Sequence, residues 1–140
     1  MHFTTLYLLK GEELDNINAS IIEEDFCERF CYCCGETTPK YEWWCDWFQI
    51  GGRWAEPIIA KRGLLGNRSW CNENDKRVSK QHFAIAEIKD IIEPLNDNII
   101  YAIATKSRIY REGEEKYHTL LKKINNKEIK GVVAFIDCHD

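Results

Sequence analysis

The run Gly131-Val132-Val133-Ala134-Phe135-Ile136 contains no charged or hydrogen-bonding side chain and is rich in β-branched and aromatic residues. A short apolar run of this kind predicts a strand that is buried in a sheet. The preceding segment, Glu114 to Asn125, has acidic residues early and lysines late, as the dipole of a helix prefers. Its apolar residues form one stripe at helical spacing, namely Tyr117, Leu120, Leu121 and Ile124. The two segments together predict an amphipathic helix followed by a buried strand.

Earlier segments of the chain show the same two periodicities. Strands are predicted at Phe3 to Leu9 and at Ile99 to Thr105, with a returning hairpin strand at Ser107 to Arg111. A helix is predicted at Glu12 to Asp25, and a strand with a helical turn at Phe83 to Ile92. A chain of 140 residues fits one domain with one core. We therefore expect a single α+β domain over residues 1–140, with a mixed, mainly antiparallel sheet and its helices packed on one face.

Composition restricts the class of partner. A net charge of −4 does not favour a general nucleic-acid binder, which usually carries a basic face. No apolar run approaches the roughly 20 residues that span a bilayer, and the opening segment lacks the features of a signal peptide. We therefore expect a cytoplasmic protein without a membrane partner. Seven cysteines in a reducing compartment favour thiols or metal ligands over disulfides.

The segment Asp46-Trp47-Phe48-Gln49-Ile50-Gly51-Gly52-Arg53-Trp54 is the strongest candidate for a site. Gly51 and Gly52 allow a sharp turn and leave open surface between bulky rings. Arg53 offers a planar fork that suits phosphate or carboxylate, and the rings of Trp47, Phe48 and Trp54 offer stacking surfaces. The alternative is a dense corner of the core in which Arg53 pairs with Asp46. Composition and spacing leave both interpretations open.

The segment Ile136-Asp137-Cys138-His139-Asp140 is the second candidate. Neighbouring residues on a strand point to opposite faces, so Asp137 and His139 can act together, whereas Cys138 and His139 cannot pair. The shared face predicts a ligand clamp or an acid–base pair. A nucleophilic Cys138 would need a base from His2, His82 or His118. The favoured alternative makes Cys138 a small buried side chain.

A third candidate is a cluster of cysteines at Cys27, Cys31, Cys33 and Cys34. Four thiolates can bind zinc, usually as two separated pairs. Here all four lie within eight positions, which is tight for one coordination shell. We favour an apolar segment that uses cysteine and no cofactor, with zinc as the alternative.

Three separated segments resemble a family of small proteins encoded by bacteriophages, prophages and bacteria. Members open Ser-His-Phe-Thr-Val-Leu-Val-Ile-Gly, carry a central Trp-Asp-Trp-Tyr-Gln-Ile-Gly-Gly-Arg-Trp and finish Val-Asp-Cys-His. The corresponding segments here are His2 to Leu9, Cys45 to Trp54 and Ile136 to His139. The chain departs from the pattern in its short segment before the centre, in its cysteine cluster, and in Tyr110, where tryptophan is usual.

The resemblance supplies context for a function but no mechanism. It implies that residues from all three segments lie together, with the terminal strands side by side and His2 near His139. The implied set is His2, Asp46, Arg53, Trp54, Asp137 and His139. Our leading hypothesis is a phage or prophage counter-defence protein, able to oligomerise, that sequesters a small phosphorylated, nucleotide-type ligand without needing a catalytic group.

Two alternatives belong to other functional classes. One is a hydrolase or nucleotide-modifying enzyme that uses Asp137 and His139 with Cys138 or His2. The other is a protein inhibitor of a host defence complex, such as a CRISPR effector, which would present an exposed apolar patch.

Overall fold

The structure, a computed structural model, describes residues 1–31, 39–52, 57–66 and 81–140. These residues form a single α+β domain with a mixed, mostly antiparallel sheet, as the sequence predicts. The strands are β1 (His2–Lys10), β2 (Trp47–Ile50), β3 (Ile58–Ile59), β4 (His82–Phe83), β5 (Ile85–Glu87), β6 (Ala102–Ala104), β7 (Ile109–Arg111) and β8 (Gly131–His139). The α-helices are α1 (Ala19–Phe30) and α2 (Glu115–Asn125).

Strand β8 lies at the centre of the main sheet. It runs antiparallel to β1 along its whole length, from the pair His2 and His139 to the pair Lys10 and Gly131. On its other edge it pairs with β2 near its end and with β5 near its start. Beyond β1 the sheet continues with β6, which is parallel to β1, and with β7, which is antiparallel to β6. Strands β3 and β4 form a separate pair.

The two α-helices cover opposite faces of this sheet, which corrects the expectation that they share one face. Helix α1 packs with Tyr7 and Val132 on one side. Helix α2 packs with Leu6 and Val133, the next residues along the same strands, on the other. Strands β1 and β8 are apolar at consecutive positions, so both of their faces must be covered to keep these side chains from water.

Helix α1 begins later and ends later than the predicted segment Glu12 to Asp25. A short 3-10 helix occupies Leu14–Asn16, and α1 starts after Asn18, whose side chain accepts a hydrogen bond from the N–H of Ile21 at 2.9 Å. Asparagine is a preferred N-cap because its side-chain oxygen satisfies an N–H of the first turn. The helix then continues to Phe30 and so includes Cys27 of the cysteine cluster.

The other predicted elements hold with small shifts in their boundaries. Helix α2, strand β8 and the hairpin strand β7 lie where the sequence puts them. The predicted strand Ile99 to Thr105 begins only at Ala102, because Asp97–Ile99 forms a 3-10 turn.

Cys27 is in a disulfide bond, contrary to the preference for thiols. Within the described ranges, no helix has the length and apolar character that crossing a membrane requires.

Candidate functional site

Six side chains form two cross-strand rows at the end of the sheet where β1 begins and β8 ends. His2, His139 and Trp47 stand opposite one another on β1, β8 and β2, and we call them the ring row. Two residues further into the sheet, Thr4, Asp137 and Gln49 form the polar row. Alternation along a strand puts both rows on the same face. This is the face that α2 covers further along the sheet.

The ring row is held by direct contacts between its aromatic rings. Trp47 stacks on His139 with ring centroids 4.8 Å apart and an interplanar angle of 15°. The ring of His2 meets both of them edge-on, with its centroid 4.9 Å from that of His139 and 5.5 Å from that of Trp47. The sequence-based expectation that His2 and His139 lie together is therefore met. Trp47 remains 40% exposed, so part of its ring surface is open to a partner.

The polar row supplies a buried carboxylate that orients one of these rings. Asp137 is only 2% exposed, and its Oδ1 lies 2.8 Å from Nδ1 of His2. An ionised Asp137 carboxylate would only accept hydrogen bonds, so Nδ1–H of His2 would be the donor, and a neutral His2 would then have its lone pair on Nε2. The side chain of His2 is 22% exposed. The arrangement therefore fixes both the tautomer and the orientation of a partly accessible imidazole.

The double glycine makes room for that carboxylate. Gly51 and Gly52 both have positive φ, +80° and +48°, so the chain turns sharply after β2. A Cβ atom on Gly52 would lie 2.4 Å from Cβ of Asp137 and 2.5 Å from its Oδ2. No side chain fits there without moving Asp137. The glycines thus serve the packing of the site.

Two buried polar atoms of the site have no hydrogen-bond partner among the described residues. They are Oγ1 of Thr4, in the polar row, and Nδ1 of His139, in the ring row. An unsatisfied buried polar atom typically costs about 1–3 kcal/mol. Such atoms commonly mark a place where water or a ligand completes the hydrogen bonding. Nε2 of His139 lies 3.5 Å from the amino nitrogen of Met1.

A small pocket of about 240 Å³ opens beside these rows, on the β6 side of β1. His2 and Thr4 form one wall, and Asn98, Tyr101 and Glu112 are among the residues of the other. Its lining is mixed: polar side chains offer both donors and acceptors, and Phe3, Ile99 and Ile100 add apolar surface. It also carries the carboxylate of Glu112, so these residues alone do not form a cationic anion site.

Asp46 lies at the rim of the site. Its backbone N–H donates to the carbonyl of His139 at 2.8 Å, and its carboxylate accepts a hydrogen bond from Nε1 of Trp43 at 3.1 Å. The side chains of Asp46 and Trp43 are exposed. Arg53 and Trp54 lie outside the described residues, and so does the predicted partner of Asp46, which is Arg53.

Cys138 lies on the opposite face of the sheet from the two rows. It is fully buried in the core beneath α1, and its Sγ donates to Oγ1 of Thr5 at 3.4 Å. The interpretation of Cys138 as a small buried side chain is confirmed. The thiol is therefore separated from His2 and His139 by the sheet itself, because neighbouring residues of a strand point to opposite sides.

Two of the four residues of the cysteine cluster lie within the described ranges. Cys27 and Cys31 are described and buried, whereas Cys33 and Cys34 lie outside the described ranges. Cys27 is in a disulfide bond, so its sulfur is not present as a thiolate. Among the described residues, no group of three or more histidine, cysteine or acidic side chains is placed to hold a metal ion.

Thr4 and Gln49 belong to the site, although neither was predicted as a candidate within the segments that contain them. Each is two residues along its strand from a member of the ring row, and each stands opposite Asp137. The period of two in a β-strand was the available signal, since it places i and i+2 on one face.

Comparisons with protein-family models, with curated proteins and with solved structures found no match for this chain.

Proposed function

We propose that this protein binds a small phosphorylated, nucleotide-type ligand at the ring row and the polar row. The observation that carries the proposal is the convergence of His2, Trp47 and His139 around the buried carboxylate of Asp137. Three strands contribute to this cluster, so the fold itself positions the groups before any ligand arrives. Preorganised groups lose little further conformational freedom on binding.

The ring row supports recognition of a planar base. The half-exposed ring of Trp47 is already aligned by its stack on His139, and a base could extend that stack. Stacking of a base on an aromatic side chain is worth about 1–3 kcal/mol and does not depend strongly on the base. The pocket beside His2 then offers acceptors such as Glu112 for sugar hydroxyls.

The phosphate partner in this proposal is Arg53, which follows Gly52 directly in the chain. A guanidinium binds phosphate through two parallel N–H donors. The resemblance to phage proteins makes an immune signal of the host the expected ligand, and sequestration of that signal the expected biological effect.

Calorimetric titration with a panel of linear and cyclic nucleotides tests the proposal. We expect one nucleotide to bind the wild type, and Arg53→Ala to weaken binding at least about tenfold because a charge-assisted hydrogen bond is lost. Native mass spectrometry of the purified protein would report retained ligand and assembly state together.

Matched histidines provide the control for this experiment. His139→Ala removes a member of the ring row, whereas His118→Ala removes an exposed histidine of α2 that contacts Tyr117. Binding should weaken in the first variant and stay unchanged in the second. No binding of any nucleotide by the wild type, or equal affinities for wild type and Arg53→Ala, would contradict the proposal.

A second candidate function is hydrolysis of such a ligand, favoured by the hydrogen bond between His2 and Asp137. Nε2 of His2 could take a proton from water as the water oxygen attacks phosphorus, and a protonated His139 could donate a proton to the leaving oxygen. Positioned acid–base groups of this kind contribute about 10²–10⁴-fold to a rate. Cys138 has no part in this version, since it lies beneath the other face of the sheet.

Phosphorus NMR of nucleotides incubated with the protein separates hydrolysis from binding. If the protein hydrolyses the nucleotide, we expect chemically altered nucleotide, loss of turnover in Asp137→Asn, and full turnover in Cys138→Ala. Recovery of unaltered nucleotide from stoichiometric wild-type protein would exclude hydrolysis and leave the binding proposal intact.

A further inference from the structure

A second pocket lies at the other end of β1, on the same face of the sheet as the ring row. It has a volume of about 720 Å³, within the range of 300–1,000 Å³ that is usual for small-molecule sites. The pocket opens where the parallel strands β1 and β6 end, between the turn after β6 and helix α2. A strand rises about 3.3 Å per residue, so Lys10 lies about 26 Å from His2 and one small ligand cannot occupy both places.

The rim of this pocket is formed by lysines from four separate parts of the chain. They come from the end of β1, the turn after β6, helix α2 and the segment before β8, and all are exposed. The five are Lys10, Lys106, Lys116, Lys123 and Lys130. We call this pocket the lysine pocket.

The positive charge of the lysine pocket contrasts with the rest of the protein. Glu128 is the one acidic residue in its lining, whereas the whole chain has a net charge of −4. Of the five lysines, only Lys106 has a carboxylate partner at salt-bridge distance among the described residues, Glu12 at 3.7 Å. Like charges gathered around a concave surface raise its potential and attract an anion.

The floor of the lysine pocket is apolar. Leu8 and Leu120 are buried there, and Ile129 and Tyr110 are partly exposed. The guanidinium of Arg108 lies over the ring of Tyr110, 5.0 Å from its centroid, and so holds the ring from one side. A ligand that fits this surface therefore combines several negative charges with an apolar or aromatic portion.

From this combination we infer that the lysine pocket binds an organic polyphosphate of the nucleoside di- or triphosphate class. The phosphates contact the ammonium groups at the rim, and the base of the nucleotide contacts Tyr110 and Leu120. Lysine binds phosphate as a mobile point charge, so several lysines from different segments accommodate a polyphosphate without a rigid fork. The site is independent of the one proposed at the ring row.

Titration of the full chain with adenosine triphosphate and with inorganic tripolyphosphate tests this inference. Calorimetry gives the affinity, and amide chemical shifts give the location. We expect both probes to bind and the triphosphate nucleotide to bind more tightly, with shifts centred on Lys10, Thr105 to Tyr110 and Lys130. Equal affinities for the two probes would overturn the apolar part of the inference.

Neighbouring lysines on α2 provide a matched pair of variants. Lys123 lines the pocket, whereas Lys122 does not, although both are exposed in the last turn of the helix. Lys123→Glu should weaken binding at least about fivefold and Lys122→Glu less than about twofold, because only the first reverses a charge at the rim.

Any one of the following results would overturn the inference. The first is that neither probe shows saturable binding in about 50 mM salt, where screening is weak. The second is that the two charge reversals weaken binding equally. The third is that the chemical-shift changes are confined to the ring row. The last result would support the proposed function instead. Loss of nucleotide binding in Arg53→Ala with normal behaviour of Lys123→Glu would likewise assign all binding to the ring row.

Discussion

Asp137 is the residue on which the candidate site depends, and its surroundings explain the neighbouring sequence. Its carboxylate is buried against His2, and the absence of a side chain at Gly52 admits it. A buried carboxylate is stable only when hydrogen bonds and charges compensate it. A turn with positive φ therefore requires glycine at both Gly51 and Gly52, and the close approach of Asp137 requires it at Gly52 as well.

At this scale we predict that Gly52→Ala destabilises the protein more than Gly11→Ala. Both glycines have positive φ, so alanine strains the backbone in both, by about 1–2 kcal/mol. Only at Gly52 does the new methyl group also overlap Asp137, which adds about 1–3 kcal/mol of overpacking. At Gly11 nothing lies within 4 Å of the added carbon. Urea unfolding of the two variants measures the difference, and equal losses would show that the overlap is relieved at no cost.

At the scale of elements, one buried tyrosine joins α1 to β1 and another joins α2 to the segment before β6. Tyr117 of α2 donates a hydrogen bond to the carbonyl of Ile100 at 2.7 Å. Tyr7 of β1 donates to the carboxylate of Asp25 on α1, which also accepts a hydrogen bond from Nε of Arg29 at 3.0 Å. Burial, together with the hydrogen bond to Asp25, raises the pKa of Tyr7 well above its ordinary range. Burial raises the pKa of Tyr117 from 10.0 to about 12.

These shifts predict loss of stability in alkali. Between pH 10 and 12 an unfolded Tyr117 releases its proton while the folded one retains it, so the unfolded state binds fewer protons. The free energy of unfolding therefore falls as pH rises through this window. Below pH 10 the contribution of Tyr117 to stability is complete. Tyr117→Phe should cost about 1 kcal/mol at pH 7 through the lost hydrogen bond.

Between pH 10 and 12, the free energy of unfolding should fall less in Tyr117→Phe than in the wild type. Urea unfolding at several pH values, each compared with the value at pH 7, separates the two effects. An identical alkaline slope in Tyr117→Phe and wild type would show that other groups cause the loss.

At the scale of the whole molecule, one sheet is shared by two cores. The cluster beneath α1 and the cluster beneath α2 use alternate residues of the same strands, β1 and β8. Loss of either cluster therefore removes support from the strands of the other. We expect the described domain to unfold in one cooperative transition, as small single domains usually do.

Leu121→Ala tests this coupling from the α2 side. Leu121 is 6% exposed, and its truncation should cost about 2–5 kcal/mol, whereas Leu65 is 50% exposed and Leu65→Ala should cost less than about 1 kcal/mol. Tryptophan fluorescence should report the loss, although Trp43, Trp44 and Trp47 lie far from α2 along the chain. A fluorescence transition that is unchanged in Leu121→Ala while circular dichroism shifts would contradict a single transition.

The sequence predicted the positions of His2, Asp137 and His139 on the sheet better than it predicted the arrangement of the helices. The alternation of Asp137, Cys138 and His139 on a strand correctly separated the thiol from the other two side chains. The spacing in α1 was harder to interpret, because the cap Asn18 lies inside an apparently continuous apolar period. Thr4 and Gln49 carry no unusual composition, so only their cross-strand partners identify them.

By itself, the sequence determined the class of the domain, the strands β1, β6, β7 and β8, and helix α2, because apolar periodicity and helix charge are local properties. It also placed Asp137 and His139 on one face. Only the tertiary structure decided that the helices cover opposite faces and that lysines distant in sequence line one pocket. Both depend on pairing between strands more than one hundred residues apart, such as β1 and β8, and no local pattern encodes which distant surfaces meet.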